Sequence, residues 1–424
     1  IEKGAIAILC EEIPENIENG ITYLQVKNSS EALGIVASNF YDNPSKKLKL
    51  VGITGTNGKT TTVSLLFELF QRLGYNVGLL STIQNQINDK VIPSTHTTPN
   101  PVELNRLLSE MLTQSCTHVF MEVSSHALVQ GRVAGLDFKG AAFSNISHDH
   151  LDYHETFREY IKAKKLLFDN LSKNAFALVN KDDKRGLVML EHCKAKSFTF
   201  ALKRMADFKA KIIENSFEAL LLNIDKQELW CRLIGEFNAY NLLTVYAVAM
   251  LLGEEKESVL VELSALGGVS GRFERINQND KFAIVDYAHT PDALENVLTT
   301  IQKIRHDGQK IITVVGCGGN RDAGKRPKMA KIAAKYSDKV ILTSDNPRNE
   351  NPESIIEQMY AGLDILDLKK TIKITDRKEA IHTACMLGQK QDIILVAGKG
   401  HEPYQEIEGK RYPFDDREMI REFL

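Results

Sequence analysis

The sequence lacks several features that would assign it to a specialised class of protein. No apolar run reaches the ~18 residues that a membrane-spanning helix needs. The six cysteines are scattered and form no Cys-x-x-Cys pair, which argues against a disulfide framework or a zinc site. Neither a repeat of fixed short period nor a low-complexity tract is present. We therefore expect a globular protein of the reducing cytoplasm.

The chain also has no excess of charge of either sign. Its 53 lysines and arginines nearly balance its 55 aspartates and glutamates, which gives a net charge of −2. Proteins that coat nucleic acid or lie on a membrane surface usually carry a strong basic excess. We therefore expect small-molecule partners rather than nucleic acid or a membrane. We also expect the chain to act as a monomer, although the charge balance does not bear on this.

The length of 424 residues is too great for one hydrophobic core, and three zones are visible. Residues 1–46 predict two strands and a helix, which would form a partial N-terminal α/β domain. Because "GAIAILCEE" is typical of a domain interior, we expect sequence to precede it. Residues 47–270 predict a central α/β domain, and residues 271–424 predict a C-terminal one.

The central zone alternates short apolar segments with helical patterns. The segments are rich in β-branched residues: "LKLVGIT", "NVGLLST", "HVFMEVSS" and "GAAFSNIS". Such alternation predicts a parallel sheet that is covered on both faces. The stretch 195–234 differs, because its apolar and polar residues alternate without helices, and this favours an antiparallel insertion.

The C-terminal zone shows a second alternation of strands and helices. Its apolar segments are "FAIVDYAH", "KIITVVGCGG", "DKVILTSD", "TIKITD" and "DIILVAGKG". This pattern predicts a doubly wound, Rossmann-like sheet. Ligands of such sheets bind at the carboxyl ends of the strands, where glycine-rich or acidic loops follow four of these five segments.

A glycine-rich turn between the first central strand and its helix is typical of a phosphate-binding loop. Glycines let backbone N–H groups approach phosphate oxygens, and the helix N-terminus favours negative charge. The lysine of the loop reaches the β- and γ-phosphates, and the threonine after it binds Mg²⁺ through its hydroxyl. The loop consists of Gly55, Thr56, Asn57, Gly58, Lys59, Thr60 and Thr61.

Two departures separate this loop from the common nucleotide-binding pattern. Ile53 stands where the first glycine of that pattern is expected. The strand that would end in a magnesium-binding aspartate ends near Glu122 instead. Both features argue against a typical GTPase or kinase.

The loop "TGTNGKT", residues 54–60, resembles that of the Mur ligases, which add amino acids to peptidoglycan precursors. The resemblance extends over nearly the whole chain. It implies a three-domain, ATP-dependent acid–amino-acid ligase that phosphorylates a substrate carboxylate. Folylpolyglutamate synthetase belongs to the same superfamily and is one alternative.

The resemblance also implies a catalytic magnesium site. "SHDHLDYH" is similar to the family motif whose histidine binds the second Mg²⁺, here His150, and Glu122 matches the carboxylate that binds Mg²⁺ beside Thr60. Lys164 matches a lysine that the family carries carbamylated, as N6-carboxylysine, and that then binds Mg²⁺. Taken without the resemblance, the histidine-rich segment is a polar loop before a helix, and Lys164 is a solvated lysine.

Further nucleotide and substrate residues follow from the same resemblance. The residues implied to bind ATP outside the loop are Asn145, Asn238, Asn241, Arg272 and Asp286. Those implied to bind the UDP-N-acetylmuramoyl-dipeptide are Thr97, Thr98, Ser124, Gln130 and Arg132. The hydroxyl-bearing residues of these segments are equally suited to helix caps.

Three loops of the C-terminal zone indicate an amino-acid pocket. Two guanidiniums and one carboxylate suit a zwitterion that carries an extra carboxylate, since arginine binds carboxylates through two hydrogen bonds. "DNPR" resembles the motif of family members that add meso-diaminopimelate, and lysine-adding members lack its arginine. The implied residues are Arg321, Asn346, Pro347, Arg348, Gly398 and Glu402.

Three alternatives remain open at this point. A lysine-adding Mur ligase is disfavoured by Arg348, and folylpolyglutamate synthetase has no obvious use for "DNPR" or for "EVSSHALVQGR". A non-catalytic nucleotide switch would hydrolyse ATP without an amino acid.

Overall fold

The structure is a computed structural model that describes residues 1–94, 96–147, 151–217 and 219–424. Its contacts divide the chain into two compact units. The first contains Ile1–Ile146, Tyr153–Lys211 and Tyr240–Leu263, and most of the second lies in Ile212–Ala239 and Ser264–Leu424. The zone boundaries near residues 46 and 270 stay predictions.

The strands alternate with helices along most of the chain. Up to residue 231 they are β1 Ala7–Cys10, β2 Thr22–Gln25, β3 Lys49–Thr54, β4 Val77–Leu80, β5 Gln84–Ile87, β6 Lys90–Pro93, β7 His118–Glu122, β8 Gly140–Phe143, β9 Phe176–Asn180, β10 Lys196–Ala201, β11 Phe208–Asn215, β12 Leu220–Ile224 and β13 Gln227–Cys231. After it they are β14 Glu274–Gln278, β15 Lys281–Asp286, β16 Ile311–Val315, β17 Lys339–Leu342, β18 Thr371–Lys373, β19 Ile393–Ala397, β20 Tyr404–Ile407 and β21 Lys410–Pro413.

The α-helices and two 3-10 helices, Pro44–Lys47 and Leu187–Leu190, fill most of the connections. The α-helices are α1 Ser29–Phe40, α2 Lys59–Arg72, α3 Pro101–Thr113, α4 Ser125–Val129, α5 Leu151–His154, α6 Phe157–Asp169, α7 Glu236–Leu252, α8 Lys256–Ala265, α9 Pro291–Ile304, α10 Lys325–Tyr336, α11 Pro352–Tyr360, α12 Ile365–Leu368, α13 Arg377–Leu387 and α14 Asp416–Phe423. Among the residues described here, no helix is both long and apolar enough to cross a membrane.

The first unit is built on a largely parallel sheet. Its strand order includes β10-β9-β8-β3-β7-β4-β5-β6, with β5 and β6 antiparallel at one edge. Strand β3 lies between β7 and β8 and pairs with both in parallel, so the loop after β3 leaves the middle of the sheet. All four predicted central strands are present, and their side chains are almost all buried. The parallel-sheet prediction is confirmed.

The second unit contains a six-stranded sheet in the order β14-β15-β19-β16-β17-β18. Strand β14 is antiparallel to β15, and the other neighbours are parallel. All five predicted strands are present, and β19 enters between β15 and β16. The loops after β15, β19, β16 and β17 therefore leave neighbouring strands at one edge of the sheet.

The antiparallel insertion predicted for 195–234 is wrong for β10 and the first residues of β11, and correct for β12 and β13. Strand β10 runs parallel to β9, and the first residues of β11 run parallel to β10. Strands β12 and β13 form an antiparallel hairpin. The connection between β9 and β10 passes through the 3-10 helix Leu187–Leu190, which gives the chain the length to return and pair in parallel.

Capping residues set the starts of several helices. Asn100, Thr156 and Asp376 each accept a hydrogen bond from the backbone N–H three residues later, where a glutamate stands. This spacing is that of the capping box, which satisfies N–H groups that the helix leaves unpaired. The same local signal fixes the start of α6, which carries Lys164, and of α13.

A buried ion pair ties α13 to α14 in the second unit. The guanidinium of Arg377 donates two hydrogen bonds of 2.8 Å to the carboxylate of Asp416, and both side chains are 0% exposed. Arg377 also donates to the carbonyls of Ser344 and Ala397, at 3.3 and 3.2 Å. One side chain therefore joins the carboxyl ends of β17 and β19.

Asp416→Ala should destabilise the second unit strongly. The substitution leaves the Arg377 charge buried without its partner, which typically costs roughly 3–5 kcal/mol of unfolding free energy. Urea unfolding followed by fluorescence of Trp230, the single tryptophan, measures the change within that unit.

The control is Glu422→Ala, which removes the 3.3 Å pair between Glu422 and Lys378 on the same two helices. Both of these side chains are about half exposed, so the loss should stay below about 1 kcal/mol. Equal losses in the two variants would contradict the importance given to the buried pair.

Candidate active site

The phosphate-type loop joins β3 to α2 in the first unit. Gly58 stands just before α2 with φ +88°, in the left-handed region, and a Cβ there would lie 2.6 Å from Asn241 Oδ1. The Lys59 ammonium donates to the carbonyls of Gly55 and Thr56, at 3.0 and 2.9 Å. The loop is therefore compact, and only glycine fits position 58 without strain.

The segment after β8 holds this loop from the side. Asn145 Oδ1 accepts from the backbone N–H of Asn57 at 3.0 Å, and its Nδ2 donates to the Asn57 carbonyl at 3.1 Å. Ser144 Oγ donates to the same carbonyl at 2.7 Å. Asn145, predicted as an ATP contact, thus contacts the loop itself, and its contact with the nucleotide stays a prediction.

Glu122 lies at the end of β7, beside the end of β3. It pairs with Ile53 in the parallel ladder and is 1% exposed. Its Oε1 accepts from the backbone N–H of Thr82 at 2.7 Å, whereas its Oε2 is buried and accepts no hydrogen bond from the described residues. A buried carboxylate oxygen without a hydrogen-bond partner is rare in proteins. Such an oxygen is well suited to act as a ligand for a divalent cation.

Lys164 points inward from α6 and is 1% exposed, so the interpretation as a solvated lysine is wrong. Its ammonium donates to the Gly55 carbonyl at 2.8 Å and lies 4.6 Å from the centre of the Tyr160 ring. Its neighbours Lys162 and Lys165 pair instead with acidic residues of the same helix. Lys164 is the lysine of this motif that reaches the phosphate-type loop.

The histidine motif is only partly described. His150, predicted to bind magnesium, lies outside the described residues. His154 is buried, and its Nε2 lies 2.9 Å from Ser125 Oγ. Within the described part of the chain, no group of three or more His, Cys, Asp or Glu side chains could hold a metal ion.

Most of the residues predicted to bind the UDP-substrate lie together. Arg132 donates to Gln130 Oε1 from Nε and Nη2, and to the carbonyl of Thr98 from Nη1. Thr97 Oγ1 accepts from the hydroxyl of Thr82 at 3.1 Å. Ser124 caps α4, as the alternative interpretation allowed.

The remaining predicted ATP residues occur in both units. Within the first, Thr62 Oγ1 lies 3.4 Å from Asn241 Oδ1. Within the second, Asn238 Nδ2 donates to the Ile234 carbonyl at 2.8 Å, one turn earlier, rather than capping the helix.

Arg272 and Asp286 lie near each other in the second unit. The Arg272 guanidinium lies 4.6 Å from the centre of the Tyr287 ring. Burial raises the pKa of Asp286 to about 6, although the positive charge of Arg272 opposes the rise. Asp286 accepts from the backbone N–H of Phe273 at 2.7 Å. A ribose contact for Asp286 stays a prediction.

The predicted amino-acid residues meet at the edge of the six-stranded sheet. Asn346 Nδ2 donates to Glu402 Oε2 at 2.8 Å, which joins the loops after β17 and β19. A Cβ at Gly398, which has φ +118°, would lie 2.5 Å from Asp345 Oδ2. A Cβ at Gly319, after β16, would lie 1.9 Å from the Pro347 carbonyl oxygen. The three loops thus approach each other more closely than side chains at these glycines would permit.

Arg348 is held beside the loop that follows β16. Its Nη1 donates to the Gly319 carbonyl at 2.8 Å, and its Nε lies 3.6 Å from the Glu406 carboxylate. A Cβ at Gly318 would lie 2.9 Å from Arg348 Nη1 and 3.8 Å from Arg321 Cγ. Gly318 therefore separates the two predicted carboxylate-binding arginines.

The backbone of Arg348 is also unusual. Its φ is +55°, and the residue bridges to β20, because its N–H donates to the Glu406 carbonyl and its carbonyl accepts from the Glu408 N–H. Left-handed backbone is uncommon for residues other than glycine and is frequent at functional sites.

Sequence reasoning missed two buried cations of this region, Lys399 and Arg377. Both are at most 1% exposed. Lys399 lies between two glycines in "GKGHE". These glycines were the one feature of the sequence that indicated a sharp turn and an inward-pointing lysine.

Two family models match the chain: the Mur ligase middle domain over residues 53–249, and the Mur ligase glutamate ligase domain over residues 271–400. The UDP-N-acetylmuramoyl-L-alanyl-D-glutamate–2,6-diaminopimelate ligase of Cytophaga hutchinsonii is 61% identical over 427 residues, with 100% of this chain and 87% of the relative covered. The chain therefore belongs to the Mur ligase family, whose members are ATP-dependent ligases that form amide bonds. The family prediction is confirmed.

Solved structures agree with this assignment. A structure of a ligase with the same name as that relative superposes with a TM-score of 0.70 at 34% identity, covering 99% of this chain and 87% of that one. A folylpolyglutamate synthase of Mycobacterium tuberculosis, crystallised with ADP and AMPPCP, gives a TM-score of 0.71 at 15% identity and covers 88% and 93%. At that identity the second likeness shows the fold alone.

Gly58→Ala should lower kcat/KM for ATP on the order of 10- to 100-fold, because the new Cβ meets Asn241 and displaces the loop. Gly74→Ala is the matched control, since Gly74 has nearly the same φ, +89°, and nothing within 4 Å of its Cβ position. Both variants carry the backbone penalty of ~1–2 kcal/mol, which urea unfolding checks. An equal effect of both variants on ATP would contradict the close-contact explanation.

Proposed function

We propose that this protein joins meso-diaminopimelate to UDP-N-acetylmuramoyl-L-alanyl-D-glutamate in an ATP-dependent reaction of peptidoglycan precursor synthesis. The observation that carries the proposal is the position of Arg348. Its guanidinium donates to the Gly319 carbonyl, and Gly318 lies between it and the Arg321 side chain. Asn346 and Glu402, on loops at the same edge of the sheet, are joined by a hydrogen bond. Two cations and a carboxylate match an amino acid with a distal carboxylate.

The reaction needs two transfers. The γ-carboxylate of the D-glutamyl residue attacks the γ-phosphorus of ATP, so that an acyl phosphate forms and ADP leaves. The amine of diaminopimelate then attacks the acyl carbon, phosphate leaves, and the amine loses a proton. The protein contributes position and charge neutralisation rather than covalent chemistry, with Lys59 and the loop amides facing the phosphates.

Magnesium fits the first unit. Glu122 Oε2 is a buried oxygen without a hydrogen bond from the described residues, and Thr60 is a 5% exposed hydroxyl residue at the start of α2. These oxygens would hold Mg²⁺, which prefers oxygen ligands and would neutralise phosphate charge. This pair of oxygens supports the magnesium site. The proposal also includes His150 as a ligand of the ion.

We place the reaction in the cytoplasm and expect the chain to act as a monomer. Six free thiols suit a reducing compartment. The rival functions make different demands on Arg348: a lysine-adding ligase gains nothing from a guanidinium that faces the distal end of its substrate. Folylpolyglutamate synthesis would need a use for the Thr98–Arg132 cluster.

Wild-type protein should use meso-diaminopimelate and leave L-lysine nearly inert. Lysine lacks the distal carboxylate and cannot accept the paired hydrogen bonds of the Arg348 guanidinium, a loss that we expect to cost on the order of 10²–10³-fold in kcat/KM. Coupled phosphate-release assays with both amino acids, each with and without the UDP-substrate, measure this preference.

Arg348→Ala should raise the KM for diaminopimelate steeply and narrow the gap between the two amino acids. Arg348→Lys should not restore the preference, because an ammonium cannot form the paired hydrogen bonds of a guanidinium. Use of lysine by wild type as efficiently as diaminopimelate would reject the assigned substrate. Turnover of ATP without any amino acid would favour a nucleotide switch.

Lys164 should carry a carbamate in the active enzyme. Its neutral amine would add CO₂ and release a proton, and the cation would become a carboxylate that suits a metal. The enclosed position of Lys164 against the Gly55 carbonyl supports this proposal. Lys164→Ala should inactivate, and short carboxylic acids should partly restore turnover, whereas Lys162→Ala, on the surface of the same helix, should have little effect.

A spectroscopic test of the same proposal does not depend on activity. Protein equilibrated with ¹³C-bicarbonate and Mg²⁺ should show a carbamate carbon resonance that Lys164→Ala abolishes. Its absence from wild type, or full activity of Lys164→Ala, would rule out the modification.

A further inference from the structure

Lys399 is a fully buried lysine beside the proposed amino-acid site, and the proposed reaction has not used it. It follows β19 between Gly398 and Gly400, whose φ angles of +118° and +54° turn the chain sharply on both sides. Its side chain is 0% exposed, and its ammonium lies 5.4 Å from the centre of the Tyr404 ring. A buried ammonium needs partners that repay its loss of water.

Those partners are two residues already assigned to the amino-acid substrate. Lys399 Nζ donates to Asn346 Oδ1 at 3.0 Å and to Glu402 Oε2 at 3.2 Å. Asn346 Nδ2 in turn donates to Glu402 Oε2 at 2.8 Å. The three side chains therefore form a closed triangle of hydrogen bonds.

The triangle fixes which way the Asn346 amide faces. Asn346 Oδ1 accepts from Lys399 and also from the Glu406 backbone N–H, at 2.9 Å. A flipped amide would place its NH₂ group against these two donors. The Asn346 NH₂ group must therefore face Glu402.

The triangle also fixes Glu402. Both of its bonds use Oε2, and Oε1 accepts no hydrogen bond from the part of the chain that the structure describes. Lys399 thus anchors one oxygen of the carboxylate and leaves the other for a ligand. It does so without entering the pocket, because its own ammonium is enclosed.

We propose that Lys399 is a positioning residue, which orients Asn346 and keeps Glu402 anionic so that Glu402 Oε1 binds an ammonium group of the amino-acid substrate. This inference rests on the proposed function, since it assigns Asn346 and Glu402 to that substrate. Lys399 itself contacts neither the substrate nor the reacting atoms.

The charges near Glu402 explain why a cation is needed. Burial raises the pKa of the Glu402 carboxyl above its usual value, the negative charge of Asp345 raises it further, and Lys399 lowers it. A carboxyl that gained a proton would not attract an ammonium. The charged or titratable groups that act on Glu402 from its surroundings are Asp345 after β17, Tyr287 after β15, Arg377 in α13, Lys399 on its own loop, and Tyr404 in β20.

The test is Lys399→Met, which keeps the length of the side chain and removes the charge. At pH 7 the KM for diaminopimelate should rise about tenfold or more, because the hydrogen bonds from Lys399 that hold both Asn346 and Glu402 are lost, while the KM for ATP stays within about twofold. The pKa of Glu402 rises when Lys399 is removed. The acidic limb of kcat/KM for diaminopimelate should therefore move to higher pH, and raising the pH should restore binding.

Two further variants separate positioning from mere structural support. Lys399→Met should have little additional effect in a Glu402→Gln background, because no carboxylate is left there to lose its charge. Lys399→Arg retains the positive charge, so it should keep the acidic limb near its wild-type position even if its bulk raises the KM. Lys378→Met, an exposed lysine of α13 in the same unit, is the control for loss of charge.

Three results would overturn the inference. They are an equal rise in KM for all three substrates, a pH profile that does not move in Lys399→Met, and an undiminished effect of Lys399→Met in the Glu402→Gln background. Should Lys399→Met not fold, an acidic limb shifted in Lys399→Arg would overturn it. If wild type prefers another amino acid, the same measurements with that amino acid still test Lys399, while the proposed substrate alone fails.

Discussion

The buried guanidinium of Arg377 is the interaction on which the carboxyl edge of the six-stranded sheet depends. A parallel strand that ends at a ligand-binding edge leaves carbonyl groups that no neighbouring strand can satisfy. Arg377 donates to such carbonyls at the ends of β17 and β19, and Asp416 balances its charge. The loops that carry Asn346 and Glu402 follow these two points. Arg377 therefore helps to set their separation, together with the hydrogen bonds that link Asn346, Lys399 and Glu402.

A buried or largely buried glutamate in each unit has a similar pattern of hydrogen bonds. Glu122 in the first unit and Glu402 in the second each have one oxygen fixed by protein donors and one that accepts no hydrogen bond from residues 1–94, 96–147, 151–217 and 219–424. Fixing one oxygen orients the group before any ligand arrives, which reduces the ordering that binding requires. The difference lies in the neighbourhood: Glu402 has the Lys399 cation beside it, whereas the second oxygen of Glu122 is suited to a metal ion.

Much of this arrangement was predictable from the sequence, because periodic apolar segments and glycine-rich turns are local signals. They located β3, β7 and the five parallel strands of the second unit, and the loop motifs led to Arg348 and Glu402. The antiparallel pairing predicted for β10 was wrong, because the direction of a strand depends on where the preceding connection returns to the sheet. The alternation of apolar and polar residues does not encode this. Lys399 and Arg377 were missed because their burial depends on partners up to 53 residues away in the chain.

The backbone at Arg348 has a consequence for what a substitution at this position changes. The main chain of this residue is bound on both sides by the β20–β21 hairpin, through Glu406 and Glu408, independently of the side chain. A replacement at position 348 therefore exchanges the chemical group presented to the ligand while the loop keeps its course. Under the proposed function, a single codon change at this position would alter the preferred amino acid while the main-chain hydrogen bonds of the loop remain.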